Sequence, residues 1–308
     1  MSNKLRTSIL ISILIILIGG IFSSSYSQSY LPGKTYYGDK KYIEYLPGTL
    51  PVILSAPHGG TLKPSDIPDR TYGSFYQDMH CDDLVKKIRD SLYRATGKYP
   101  HVVICNLHRR KLDANRDINE AAQGNTAAEQ AWKEWNEFLE HAKKEVETEY
   151  GTGFYFDIHG FRGMKKWLQL GYLIRGRDFD NVSDEDMNKG FFGVRSSIRY
   201  LAENSEISFA ELVRGDSSLG ALFEEEGYPA VPSNKNKGPG NYGTYFNGGY
   251  NTYRHGSLRN GKINAIQIET YYEGIRDTEE NRKKFAEKFT QVLKKFLTVH
   301  MNFFIKTP

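Results

Sequence analysis

Leu50-Pro51-Val52-Ile53-Leu54-Ser55-Ala56-Pro57-His58-Gly59-Gly60 is the stretch whose reading decides the fold. Its apolar run has the length and composition of a strand buried on both faces, as in a parallel sheet. It ends in a glycine-loosened loop carrying His58, and the carboxyl ends of such strands are where α/β proteins keep their chemistry. A second stretch, Phe154-Tyr155-Phe156-Asp157-Ile158-His159-Gly160, repeats the order: apolar strand, histidine, glycine. Two histidines at strand ends on one edge of a sheet point to a shared metal ion.

Outward from these stretches, the pattern alternates. A helix is expected over residues 78–96, with Leu84, Val85, Ile88 and Leu92 on one face, then a strand over 101–107, a helix over 126–150 and the strand at 154–158. Residues 167–174 look strand-like, 187–203 and 217–226 helical, 262–270 like a final strand, and 278–300 like a helix that turns Phe285, Phe289, Val292, Leu293 and Phe296 inward. Strands alternating with helices of this length imply βαβ units, hence an α/β fold with a mostly parallel sheet. Upstream, the aromatic runs around Gly38-Asp39 predict a hairpin, and the aromatic-rich segment 132–138 belongs to the core. Residues 232–249, rich in Gly, Asn and Pro and without periodicity, form a functional loop.

The 308 residues carry 41 Lys and Arg against 37 Asp and Glu, a net charge of +4, with the two signs interleaved along the helices. That balance implies neither a nucleic-acid groove nor a membrane-binding face. Residues 1–27 read as a secretory signal: Lys4 and Arg6, an apolar run from Ile9 to Phe22, and small residues Ser25 and Ser27 before Gln28. The expectation is an exported protein, periplasmic or extracellular, with no membrane span once the signal is removed. The alternative is an uncleaved membrane anchor, for which the run is short of the roughly 18 residues a comfortable span needs. Residues 28–308 fit one catalytic domain. Cys81 and Cys105 are the only cysteines; export makes a bridge possible, while their settings suit small buried thiols.

A catalytic zinc takes three protein ligands and keeps an open position. His58 and His159 supply two; for the third, Asp78, His80, Asp66 and Asp69 all lie in the same loop region, and Asp78 could equally cap a helix. Asp157 shares a strand face with His159 and is placed to orient it. The cluster Leu107 to Asp117 ends another strand and reads either as a solvated basic loop or as a site whose arginines offer a planar cation for a carboxylate or an oxyanion, with Asp113 holding one of them in place. Glu269, closing an apolar strand, suits a general base. The segment Gly248 to Gly256 reads as a lid whose Tyr250, Arg254 and His255 reach substrate, or as a hairpin without such a role.

As an ordered set, Ser-Ala-Pro-His-Gly-Gly (55–60), Asp78, Arg109, Lys-Leu-Asp-Ala-Asn-Arg (111–116), Asp-Ile-His-Gly (157–160), Leu-Gly-Tyr-Leu (170–173), Gly-Gly-Tyr (248–250) and Ile-Gln-Ile-Glu (266–269) resemble the N-formylglutamate amidohydrolase family. That family is related to zinc carboxypeptidases. The resemblance spans residues 50–295 and implies a three-layer phosphorylase/hydrolase-like fold with helices on both faces of the sheet. It further implies hydrolysis of the amide of an N-acyl amino acid by metal-activated water. In that reading zinc is held by His58, Asp78 and His159, Glu269 is the base, Arg109 polarises the acyl oxygen, and Asn115 and Arg116 bind a substrate carboxylate. The chain departs from the pattern twice. Thr61 stands where carboxypeptidases of the His-x-x-Glu type have glutamate, and Phe161-Arg162-Gly163 stands where a further histidine is expected. Two other readings compete: a secreted zinc carboxypeptidase or peptidoglycan amidase acting on a short peptide or larger substrate, and a non-catalytic binding protein that retains the fold.

Overall fold

The computed structural model describes residues 29–163, 165–241 and 244–304. The signal sequence expected at residues 1–27 lies outside them.

Eight strands form one mixed sheet: β1 (Tyr36–Tyr37), β2 (Ile43–Leu46), β3 (Val52–Ala56), β4 (His101–Cys105), β5 (Gly153–Phe161), β6 (Leu168–Gly171), β7 (Ala230–Val231) and β8 (Ile263–Tyr271). Their spatial order is β1-β2-β4-β3-β5-β8-β6-β7. The central strands β4, β3, β5 and β8 run parallel. The flanks turn antiparallel, at β1 with β2, β2 with β4, and β6 with β8. The expected hairpin is present, its turn taken up by a short 3-10 helix at Asp39–Lys41.

Because successive side chains of a strand point to opposite faces, each apolar strand feeds two cores. Val52, Leu54, Phe154 and Phe156 pack with the helices Cys81–Thr96 and Glu279–Met301 through Val85, Ile88, Phe285 and Phe289. Ile53, Tyr155, Ile263 and Ala265 face the helix Thr126–Tyr150, meeting Trp135, Leu139 and Ala142. Helices on both faces make the three layers of an α/β fold. Each buried Phe of the closing helix contributes roughly 1.5–3 kcal/mol of transfer free energy, far more than helix propensity alone.

Local expectations and structure part at two places. The region 187–203 is not one helix but two short ones, Phe191–Val194 and Arg199–Asn204. The carbonyl of Ser197, between them, accepts hydrogen bonds from the N–H groups of Ser257 and Ala265, so tertiary partners hold the backbone that a continuous helix would need. The segment Gly248 to Gly256 is no hairpin: the six residues Tyr250–His255 form a short helix, opened by reciprocal bonds between Gly249 and Thr252. Cys81 and Cys105 are separate, buried, free thiols rather than a bridge. Among the described residues no helix is long and apolar enough to cross a membrane.

Candidate metal and catalytic site

At the carboxyl edge of the sheet, the face that packs against Thr126–Tyr150 changes from apolar to polar within one strand step. Sheet register puts Ser55 beside Asp157 and Asp157 beside Gln267; the next row has His159 beside Glu269. All are buried, as is His58 two residues beyond the end of β3. Isolated, any of these groups would be costly to bury.

Partners explain them. His58 directs Nε2 to Asp113 Oδ1 at 2.7 Å, and His159 directs Nε2 to Asp157 Oδ2 at 2.8 Å. A carboxylate only accepts, so both Nε2 atoms carry a proton, and in the neutral form of each ring the Nδ1 lone pair points the other way. They converge on one oxygen, Asp78 Oδ2, at 3.3 Å from His58 and 3.1 Å from His159. With neutral rings, three acceptors then face one another across buried space. The arrangement calls for a cation. Among the described residues the ligand atoms of His58, Asp78 and His159 form a set lying within 4.8 Å of one another, a group able to gather on one metal ion.

The electrostatics carry the same demand. Burial raises the Asp78 carboxyl, but His159 and His58 outweigh it and hold the group below the usual carboxylate range. Asp113, likewise raised by burial, is brought well below that range by His58 and Arg109. Burial lowers His159, yet Asp157 and Asp78 carry it well above the ordinary histidine value. Three buried aspartates around two imidazoles therefore attract positive charge.

Asp78 reaches this position because the loop after β3 folds back: its own N–H donates to the carbonyl of His58 at 3.0 Å. It does not cap the next helix, whose first flanking residue is His80. The rival third ligands are engaged elsewhere. His80 bonds the Arg276 carbonyl, Asp66 pairs with Lys40 and Tyr42, and Asp69 pairs with Lys111. The glycines after each histidine answer to close approach rather than to turn geometry. A Cβ at Gly60 would lie 2.2 Å from the backbone carbon of Asn106, and one at Gly160 would lie 2.2 Å from the Arg276 guanidinium carbon.

A cavity of about 480 Å³ opens over these groups, lined also by Arg109, Asn115, Arg116, Gln267, Glu269 and Arg276. Glu269 accepts from Gln267 Nε2 at 3.0 Å, and burial pushes its pKa up to about 7 against the pull of His159. Arg109 is fixed through Nε to Asp113 Oδ2 at 2.9 Å, the pairing read from the sequence. Asn115 uses Oδ1 to accept the N–H of Asn251, which orients its amide. Its Nδ2 lies 3.3 Å from His159 Nε2, but that nitrogen already donates to Asp157, so the Asn115 N–H groups remain available to the cavity. Arg116 pairs with Glu120 and its own neighbour's carbonyl.

The three expected substrate contacts of Gly248 to Gly256 are not among the cavity's lining residues. Tyr250 and Arg254 bond each other at 3.1 Å, with the guanidinium over Trp132. His255 is fully buried between Glu140 and Asn136, and burial lowers its pKa to about 4. Helical spacing turns it towards Thr126–Tyr150, so it braces that contact instead. The segment meets the site through Gly248, Gly249 and Asn251, whose Nδ2 donates to Asp157.

Several contributors were not legible in the chain. Asp113 holds His58 as well as Arg109; Ser55 donates to Asp157 at 2.5 Å, with Tyr155 behind it; Gln267 supports Glu269 and leaves Oε1 buried without a partner among the described residues. Only the alternation along β5 and β8 marks Gln267, as a polar residue two before Glu269 on an otherwise apolar face.

No family model matches the sequence, and no curated protein matches it. Solved structures overlap with it at low identity. The N-formylglutamate amidohydrolase of Ralstonia eutropha is 13% identical over 83% of this chain and 98% of its own, with a TM-score of 0.47. A gene product of Agrobacterium tumefaciens is 12% identical over 80% and 90%, at 0.44. An N-acetylmuramyl-L-alanine amidase of Mycobacterium smegmatis is 12% identical over 80% and 97%, at 0.34. Likeness at this level assigns no activity, so the chemistry has to come from the site's own atoms.

Proposed function

We propose that this chain is a metal-dependent hydrolase that cleaves the amide bond of an N-acyl amino acid or short peptide. The observation that carries the reading is the convergence of His58 Nδ1, His159 Nδ1 and Asp78 within 4.8 Å, with Glu269 beside His159 in the sheet. Those donors suit zinc, which when bound supplies a Lewis acid that lowers the barrier to attack by water.

The protein's own groups supply the rest. Glu269, its pKa near neutrality, takes a proton from the attacking water and returns it to the departing amine. Asp113 fixes Arg109 through Nε alone, which leaves the terminal guanidinium nitrogens to stabilise the negative charge that develops on the acyl oxygen. The Nδ2 group of Asn115 and the guanidinium of Arg116 bind a carboxylate on the amine half of the substrate. Gln267 Oε1, a buried acceptor lining the cavity, takes a substrate N–H.

Amine release from a panel of N-acyl amino acids, with and without a chelator, tests this reading. Chelator-sensitive release supports it; no release from any N-acyl amino acid or short peptide, with zinc added, would leave a binding protein. Export belongs to the same proposal and is checked by sequencing the amino terminus of the mature protein, expected at Gln28.

A further inference from the structure

We propose that the acyl half of the substrate is long and acidic, and that it lies in a second cavity adjoining the first. The inference rests on the hydrolase reading and names its substrate class.

The second cavity also measures about 480 Å³ and shares Phe161, Arg162 and Phe246 with the first. Lys165, Trp167 and Gln169 line its far side. The direction follows from the sheet. Asn115 lies 3.3 Å from His159 in β5, whereas Gln169 stands in β6 and Trp167 just before it, on the far side of β8 in the sheet order. From β5 to β6 is two strand steps, roughly 10 Å at about 4.8 Å per step. An N-formyl amino acid, two chain units at about 3.5 Å each, spans roughly 7 Å. The second cavity shares neither Asn115 nor Arg116 with the first, so with the carboxylate of the amine half at those two residues it is the acyl half that reaches towards β6.

Its chemistry follows from the wall. Phe246 is held by its N–H on Gln169 Oε1 at 2.9 Å and meets the Phe161 ring at 6.2 Å, which gives an apolar floor between the cavities. Arg162 sits 4.3 Å above the Tyr272 ring, exposed, and makes no ion pair with another described residue. A cation fixed by an aromatic ring and lacking a counter-charge selects a carboxylate. The acyl half is therefore a peptidyl group with an acidic side chain, rather than formyl.

Calorimetric titration of the zinc-loaded full chain with N-acetyl-Glu-Ala, which mimics the acyl product, and with acetate tests this directly. N-acetyl-Glu-Ala should bind at least about tenfold more tightly than acetate, with that advantage lost in Arg162→Glu and largely kept in Arg162→Lys. Equal affinity for the two acids, or an advantage untouched by Arg162→Glu, would overturn the proposal. The two readings fail separately. Brisk hydrolysis of N-formyl substrates with no tighter N-acetyl-Glu-Ala binding overturns the second cavity alone. Tight binding that depends on Arg162, with no amide hydrolysed, overturns the hydrolase and leaves the acidic ligand.

Discussion

His58 and His159 differ from ordinary core histidines in what stands behind them. Each has a buried aspartate on Nε2 and turns Nδ1 to the same Asp78 oxygen. Replacing Asp113 or Asp157 with asparagine should weaken zinc binding by about 10–100-fold, measured by competition with a chromophoric chelator. Unchanged affinity would make the two carboxylates mere packing. Glu269 has a different duty, and Glu269→Gln should keep its zinc while losing about 100-fold or more in turnover. Because a carboxylate base works only when ionised, activity should rise with pH along Glu269's titration. Its pKa is about 7 before any cation is counted, and a cation lowers it, so the half-point should fall at or below about pH 7. An acidic limb centred well above that would point to another base. Asp157's placement was readable from strand alternation. Asp113's grip on His58 was not, because it depends on how the loop after β4 meets the loop after β3, a contact 55 residues apart in sequence.

At the level of elements, β3, β5 and β8 and the long helices were legible because burial imposes a period that the residues must follow. The break between Phe191–Val194 and Arg199–Asn204 was not, since it is set by the bonds of Ser257 and Ala265 to Ser197. Nor was the helix Tyr250–His255, whose position depends on the Asn251 bond to Asn115. The loop glycine Gly60 gives one test of these contacts. Gly60→Ala would press a Cβ onto the Asn106 backbone, shift the His58 loop and reduce zinc affinity together with turnover; a variant with both intact would show that the loop has room to move. A second test concerns β4. His101 Nδ1 accepts from Tyr45 Oη at 2.8 Å, and burial lowers the ring's pKa to about 3. The unfolded chain takes up that proton near pH 6.5, so the stability contribution is whole above that value and is lost as pH falls towards about 3, by up to about 1.4 kcal/mol per pH unit. Urea unfolding at about pH 7 and pH 4 should show this loss, and His101→Gln should make it shallower. His255 contributes in the same direction, so some slope should remain.

Across the whole molecule, one sheet edge gathers residues from strands more than a hundred positions apart and lays two cavities along it. The α/β class and the meeting of His58 with His159 could be read from the sequence because both histidines lie at strand ends. The length of the cleft could not, because β6 joins the sheet antiparallel beside β8, an order that periodicity does not specify. Everything chemical in the account depends on the cation. Metal content per chain after zinc loading and exhaustive dialysis is therefore the most direct measurement. The account predicts about one zinc per chain, lost in His159→Ala. A metal-free wild-type chain, or zinc retained in full by His159→Ala, would contradict it.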